Sequence, residues 1–461
     1  MDSRYGVLDD AARLARDFLD GLSSRPVGAR VDVEELRRLL ARPLAEDGED
    51  PSLVVADLAH EVDGGLVASA GPRYFGFVIG GAVPAAVAAD WLTSAWDQNA
   101  GGYVVAPALS VVEEVAAGWV RELLGLPVSC GIGFVTGCQM AHFTCLAAAR
   151  HAVLRDVGWD VEALGLQSAP VVRVLAGEQA HVTVRVACRM LGLGADRVRL
   201  VSADEQGRML PAELEVQLAD HNGPTIVCVQ AGEINTGAFD PISEIAELCH
   251  ARGAWCHVDG AFGLWAALSP SRRRLLEGFE SADSWATDAH KWLNVPYDCG
   301  IAAVADASAH RSAMTSSAAY IPAHEDDVPW PLDWTPEFSR RARGVPLYAA
   351  LRSLGRAGMR RLVDDCCDHA ARMGQMLARE SGVEVLNDVV LNQVLVRFGG
   401  DDELTDAVID RVQQSGTCWM SGSTFHGQRV MRISVVSWQT TAEDIDASAE
   451  SILQSLRDSR R

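Results

Sequence analysis

The stretch from His257 to Val304, HVDGAFGLWAALSPSRRRLLEGFESADSWATDAHKWLNVPYDCGIAAV, decides how the chain is read. At its middle stands Lys291, and the 461 residues contain no other lysine: of the 40 basic residues, 39 are arginine. Arginine carries charge as well as lysine does, but its guanidinium keeps its proton, whereas a buried lysine amine can lose one and attack a carbonyl. A chain that uses arginine everywhere else is expected to keep lysine where a free amine is required. Asp259, 32 residues earlier, ends the apolar run that starts at Trp255, and a glycine follows it. The pattern predicts an acid at the C-terminal end of a buried strand, where open α/β sheets bind ligands.

An amine and a carboxylate so placed are the two groups pyridoxal phosphate requires. One bonds its aldehyde, and the other sits beside the ring nitrogen and holds it protonated. Asp259-Gly260-Ala261 followed by Asp288-Ala289-His290-Lys291-Trp292 resembles the group II pyridoxal-phosphate-dependent amino-acid decarboxylases, the aromatic-amino-acid and glutamate decarboxylase-like family, over about residues 74 to 440. The resemblance implies the α/β fold-type I architecture of pyridoxal-phosphate-dependent transferases, an internal aldimine at Lys291, and decarboxylation of an L-amino acid to the amine and carbon dioxide. It implies Asp259 at the ring nitrogen, with Ala261, Asp288 and His290 lining the cofactor. It further implies a homodimer with shared active sites. Asp288 stands where many decarboxylases have asparagine, which leaves open a carbon–carbon (aldehyde) lyase of the branch that includes sphingosine-phosphate lyase. An aminotransferase also stays open, since Arg432 would suit one. A catalytically silent cofactor-binding subunit is disfavoured by the joint presence of Lys291, Asp259, His181 and Tyr320.

Upstream, Gly131–Val135 reads as a strand, Thr136–Gln139 as a turn and Met140–Val157 as an Ala-rich helix. A glycine turn opening a helix offers backbone N–H groups and a positive dipole end to a phosphate. Gly137, Cys138 and Gln139 are therefore the candidate phosphate contacts, although Cys138 and Gln139 replace small hydroxyls common in the family. Val171–Leu175 reads as the next strand, and in the GEQAH that follows, His181 matches the histidine that stacks on the cofactor ring. Thr225–Gln230 is a further strand, followed by a loop and a helix over Ile242–Arg252. In that loop Glu233 replaces a threonine frequent in decarboxylases, and whether Asn235 or Thr236 inherits its contact is open. Strand and helix alternating from about 130 to 305 indicate a mostly parallel sheet covered by helices on both faces.

Residues 1–70 read as an N-terminal helical arm, with a Val33, Leu36, Leu39/Leu40 stripe. Residues 71–344 form the cofactor-binding large domain and 345–461 a smaller C-terminal α+β domain. By resemblance Tyr74, Phe75 and Pro107 line the substrate pocket, and Arg432 is the candidate carboxylate anchor. Trp91, Trp96 and Tyr103 would suit an aromatic or apolar substrate, but packing accounts for them equally. Residues 310–341 have the length and Ser, Pro and acid content expected of an active-site lid, and Tyr320 matches by spacing the loop tyrosine that returns a proton to the carbanion. A formal charge of −22 and a pI near 4.9 argue against nucleic-acid or anionic-membrane partners. No export signal or membrane span is read, which makes a cytoplasmic protein the expectation. The 11 cysteines then read as reduced thiols, and none has CxxC metal spacing.

Overall fold

The computed structural model describes residues 4–315 and 328–461. Seven strands build the main sheet: β1 (Gly131–Val135), β2 (Arg173–Gly177), β3 (Arg199–Val201), β4 (Thr225–Gln230), β5 (Trp255–Asp259), β6 (Ser284–Asp288) and β7 (Gly300–Val304). Their order is β1-β7-β6-β5-β4-β2-β3. Neighbours from β3 to β6 pair in parallel, and β7 runs antiparallel to both β6 and β1. All but β3 are buried along their whole length. That is why their sequences are continuous apolar runs rather than alternations.

In the N-terminal part, α1 (Val7–Gly21), α2 (Val33–Leu40) and α3 (Pro51–Val62) fully bury none of their residues. The helices α4 (Pro84–Trp96) and α5 (Pro107–Leu124) lead into the sheet. Between and after its strands come α6 (Cys138–Arg155), α7 (Val161–Leu164), α8 (Val182–Met190), α9 (Pro211–Ala219), α10 (Ile242–His250) and α11 (Ala307–Met314). One face of the sheet packs on α6 and α8, with Leu146, Ala148, Val184 and Ile226 at the centre. The other face shares a core containing Phe75, Trp265, Trp285 and Trp292 with the C-terminal part. There α12 (Gly344–Leu377), broken at Gly355 where φ is +58°, runs to α13 (Asp402–Ser415) and α14 (Ala442–Ser459). These pack on an antiparallel sheet of β8 (Val383–Val385), β9 (Gln393–Phe398), β10 (Ser421–Phe425) and β11 (Gln428–Ser434), ordered β10-β11-β9-β8. Among the described residues no helix is long and apolar enough to cross a membrane, and all eleven cysteines are buried and unpaired.

Several boundaries differ from the sequence reading: α10 ends at His250 rather than Arg252, and α11 runs to Met314, inside the stretch read as a connection. The second strand occupies Arg173–Gly177 rather than Val171–Leu175. Helix α6 begins at Cys138, so Cys138 and Gln139 form its first turn instead of the loop before it. With twelve of its 18 residues buried, α6 is apolar on nearly every face and carries no stripe to mark its start.

A buried ion pair fixes how β1 enters the site. Arg340 sits in the interior, its Nη1 2.6 Å from Glu113 Oε2 on α5, and it also donates to the carbonyls of Ala100 and Phe134. Glu113 in turn accepts from the Gly344 N–H at the start of α12. Glu113→Ala would strand the guanidinium without its counter-charge, so we expect a loss of about 3–5 kcal/mol in denaturant unfolding. The double variant Glu113→Leu/Arg340→Met should recover most of it.

Candidate active site

Strands β5 and β6 are adjacent and parallel. Each therefore delivers its terminal acid, Asp259 and Asp288, to the same edge of the sheet. Both are almost fully buried. Asp259 Oδ1 accepts from the Ala261 N–H at 3.1 Å and from the Cys138 thiol at 3.9 Å, and Oδ2 lies 3.4 Å from His142 Nε2. Burial alone would push this carboxyl up, but His142, then His181 and Lys291, hold it well below the usual carboxylate range.

Lys291 follows β6, and its Nζ lies 3.1 Å from Asp288 Oδ2. Burial pulls the amine down; Asp288 above all, with Cys138 and Asp259, outweighs this and leaves it raised. The free enzyme therefore holds an ammonium there. The other Asp288 oxygen is buried and has no hydrogen-bond partner among the described residues; it lies 3.6 Å from His290 Nε2. It faces the first turn of α6: a Cβ built on Gly137 would lie 3.7 Å from it and 3.2 Å from His290 Cε1. The approach is closer still at Gly300, where a Cβ would sit 2.5 Å from the Gly137 backbone, so only glycine lets β7 run under this turn.

His181 caps α8, with Nδ1 2.8 Å from Thr183 Oγ1. Burial lowers its pKa most, with Asp259 opposing and Lys291, His142 and Arg432 adding to the decrease, so the ring lies among these groups and favours its neutral form. His290 is likewise lowered by burial, and its Nδ1 accepts from the Cys299 N–H at 3.2 Å. The Ala261 carbonyl accepts from the Asp288 N–H, which ties the two acids together.

The remaining sequence candidates divide. Cys138 does not turn its thiol toward the end of α6. Once it belongs to the helix, its side chain points inward to Asp259 and His142. Gln139 is exposed. Tyr74 is buried and stacks on Trp419 with centroids 5.1 Å apart and planes within 8°. Phe75, its neighbour in extended chain, faces away into the hydrophobic core. Pro107 opens α5 and is exposed. Arg432 is buried; its Nη2 lies 3.4 Å from the Phe77 carbonyl, and its Nε has no hydrogen-bond partner among the described residues. Glu233 is buried and accepts from Asn235 and Thr236, main chain and side chain of each. Asn235 and Thr236 thus serve Glu233 rather than replace it. Tyr320 falls outside the described residues.

Four residues near the site escaped the sequence reading. The Tyr297 ring lies against His290 with centroids 4.3 Å apart and planes tilted by 33°, and it is close enough to Lys291 to feel its charge. Trp419 backs Tyr74. His142 and His257 join Asp259 from behind. Spacing could have found the last pair: His142 is one helical turn after Cys138, and His257 shares a strand face with Asp259.

Cys138, His142 and Asp259 bring three donor atoms within 4.8 Å of one another, a grouping that could hold a metal ion. The thiol argues otherwise. Burial and the Asp259 and Asp288 carboxylates raise it well above its ordinary value, so it remains a proton donor to Asp259. The donor set instead fits pyridoxal phosphate: a dry carboxylate for the ring nitrogen, one amine, an imidazole between them, and a glycine at a helix N-terminus for the phosphate.

Comparison with known proteins agrees. The model of the pyridoxal-dependent decarboxylase conserved domain matches residues 34–398. The aromatic-L-amino-acid decarboxylase of Bacillus atrophaeus is 26% identical over 450 residues, covering 94% of this chain and 92% of its own. Human cysteine sulfinic acid decarboxylase is 29% identical over 361 residues, 77% of this chain and 72% of that one. Among solved structures, Oryza sativa TDC with PLP and tryptamine superposes with a TM-score of 0.92 at 24% identity, covering 98% and 97% of the two chains. Mouse CSAD gives 0.89 at 25% identity, covering 98% of each. With the family model spanning most of its length and its two acids and one lysine converging on a single sheet edge, the chain belongs to the pyridoxal-dependent decarboxylase family.

Proposed function

We propose that the protein removes carbon dioxide from an L-amino acid with an uncharged aromatic or apolar side chain. The observation that carries the chemistry is the pair formed by Lys291, the chain's only amine-bearing side chain, and Asp259, an anion buried at the end of the central strand. Pyridoxal phosphate, when bound, supplies an aldehyde for the amines and a protonated ring that takes up the electrons left as carbon dioxide departs. Asp259 keeps the proton on that ring nitrogen, and Lys291 must shed its own proton before it can bond a carbonyl. His181 covers the ring, the N–H groups at the start of α6 hold the phosphate, and Arg432 orients the substrate carboxylate. Tyr320 returns a proton to the substrate carbon.

The side-chain preference rests on what surrounds Arg432. Tyr74 and Trp419 stack, and Phe77 lies 5.9 Å from Trp419, which makes an aromatic tier beside the guanidinium. Burial lowers the Arg432 pKa, and Glu233 lies close enough to oppose that shift in part. A second carboxylate or sulfinate brought there would meet Glu233 as well as Arg432, whereas an aromatic ring would meet the stack.

A homodimer is supported by apolar surface left uncovered. Leu8, Val33, Leu53 and Leu58 on the first three helices are each more than half exposed, and Trp91, Trp96, Val104 and Val105 lie open near Pro107. In such a dimer Pro107 and Tyr320 would serve the neighbouring site. The division into an arm (1–70), a large domain (71–344) and a small domain (345–461), and a cytoplasmic location, belong to the same reading.

Carbon–carbon lysis and transamination would employ the same Lys291 and Asp259, so products distinguish them. Borohydride reduction of the cofactor-loaded protein should fix the pyridoxyl group on Lys291 in a peptide map; an unmodified Lys291 would remove the premise. Offered an amino-acid panel, the enzyme should release carbon dioxide and amine from aromatic substrates about tenfold or more faster, as kcat/KM, than from glutamate or cysteine sulfinate, reflecting one unfavourable charge contact. Keto acid or aldehyde as the main product would decide for another branch. Lys291→Ala and Tyr320→Phe chains, each a poor decarboxylase alone, should regain activity when refolded together, because one site of a heterodimer would hold both groups. Verified heterodimers without activity would place Tyr320 in its own chain's site.

A further inference from the structure

Counting Asp259 itself, five buried groups from three elements are linked in series. Trp255 Nε1 donates to Ser284 Oγ at 2.8 Å. Ser284 Oγ lies 2.9 Å from His257 Nδ1, His257 Nε2 lies 2.9 Å from His142 Nδ1, and His142 Nε2 lies 3.4 Å from Asp259 Oδ2. Ser284, His257 and His142 have no exposed surface. The titratable groups that face this run are Cys138 from α6, Cys228 beside His257 on β4, His181 from the α8 cap and Lys291 after β6.

The ends of the run set its direction. An indole N–H can only donate, and an ionised carboxylate can only accept. At the Asp259 end, both groups near His142 Nε2 are acceptors: Asp259 Oδ2, and a Cys138 sulfur whose own proton goes to Asp259 Oδ1. The proton therefore sits on Nε2. At the other end Ser284 receives the indole proton and gives its own to His257 Nδ1. His257 then carries its proton on Nε2 and gives it to His142 Nδ1. Each group thus uses one donor and one acceptor, and neither imidazole needs a charge in a site without water. Burial holds His257 down at about 3, in keeping with a neutral ring.

We propose that Trp255, Ser284, His257 and His142 form one polarised hydrogen-bond chain with every proton directed toward Asp259. Its role is to keep that carboxylate ionised so that a ring nitrogen facing it stays protonated. His142 and His257 are positioning residues that act through Asp259. The inference rests on pyridoxal phosphate being the cofactor, and it adds a determinant of the ring's protonation that lies wholly outside the cofactor pocket. Hydrogen bonds in series polarise one another, so the His142–Asp259 contact gains from each link behind it.

The test has two parts. In apoprotein labelled with 15N-histidine, with His142→Gln and His257→Gln assigning the signals, NMR should show His142 and His257 both as neutral Nε2–H tautomers. An imidazolium at His142, with His257 protonated on Nδ1, would overturn the direction. In protein loaded with 15N-labelled pyridoxal phosphate, the ring nitrogen should be protonated in the wild type and largely unprotonated in His142→Leu. Turnover should fall about tenfold to a hundredfold in kcat with KM little changed, the worth of one hydrogen bond to a charged group. His142→Gln, which keeps an N–H donor, should recover part of both. A wild-type protein that takes up no cofactor would defeat the proposed function itself. Uptake with a ring nitrogen unchanged in folded His142→Leu would defeat the chain alone, and if that variant does not fold, the wild-type tautomers still decide.

Discussion

Everything at the site depends on keeping an anion where water cannot reach it. Asp259 ends β5, the central strand of seven, and burial acts to protonate it. A carboxylate in that position persists as an anion only if the protein replaces its hydration. Ala261, Cys138 and His142 do so with an amide, a thiol and an imidazole drawn from the turn after β5 and from α6. The elements that cross at this point are placed by that requirement as much as by apolar packing.

The same edge of the sheet shows how little clearance the backbone has. Gly300 starts β7 against the Gly137 backbone, and a Cβ on Gly80 would lie 2.2 Å from the Lys291 carbonyl and 2.8 Å from Asn294 Nδ2. Asn294 locks this loop to the C-terminal part by donating to the carbonyls of Trp292 and Val436 and accepting from the Trp438 N–H. The amine is thus carried on a segment held from the N-terminal part, the large sheet and the C-terminal part together. Reach and orientation, which favour reaction over mere binding, come from that rigidity.

How much of this was legible in the sequence follows from the range of each interaction. Asp259 and Lys291 were visible because their chemistry is rare and their strand and loop contexts are local. The parallel sheet was visible because strands buried on both faces must be apolar throughout. The direction of Cys138 was not, because the start of α6 is set by packing on every side of the helix and leaves no periodic mark. Phe75 went to the core because side chains alternate along extended chain, and choosing which of two aromatics faces inward requires knowing where Trp419 lies, 344 residues on. The link from His142 to His257 spans 115 residues. Each histidine could be placed on the right face by spacing, but their meeting depends on α6 lying across β5, which only the assembled fold provides.

The single lysine remains to be reconciled with the ion pair it makes. Asp288 would be satisfied by a guanidinium as readily as by the ammonium 3.1 Å from it, and 39 arginines show that this chain makes its other side-chain ion pairs without lysine. Electrostatic pairing therefore gives no reason for lysine at 291. An arginine there could hold Asp288 but could never release a proton to become a nucleophile. The raised affinity of Lys291 for its proton is then the resting state of a group retained for what it does after losing it. Asp288 holds the amine within electrostatic range of Asp259 while the amine waits in its charged form.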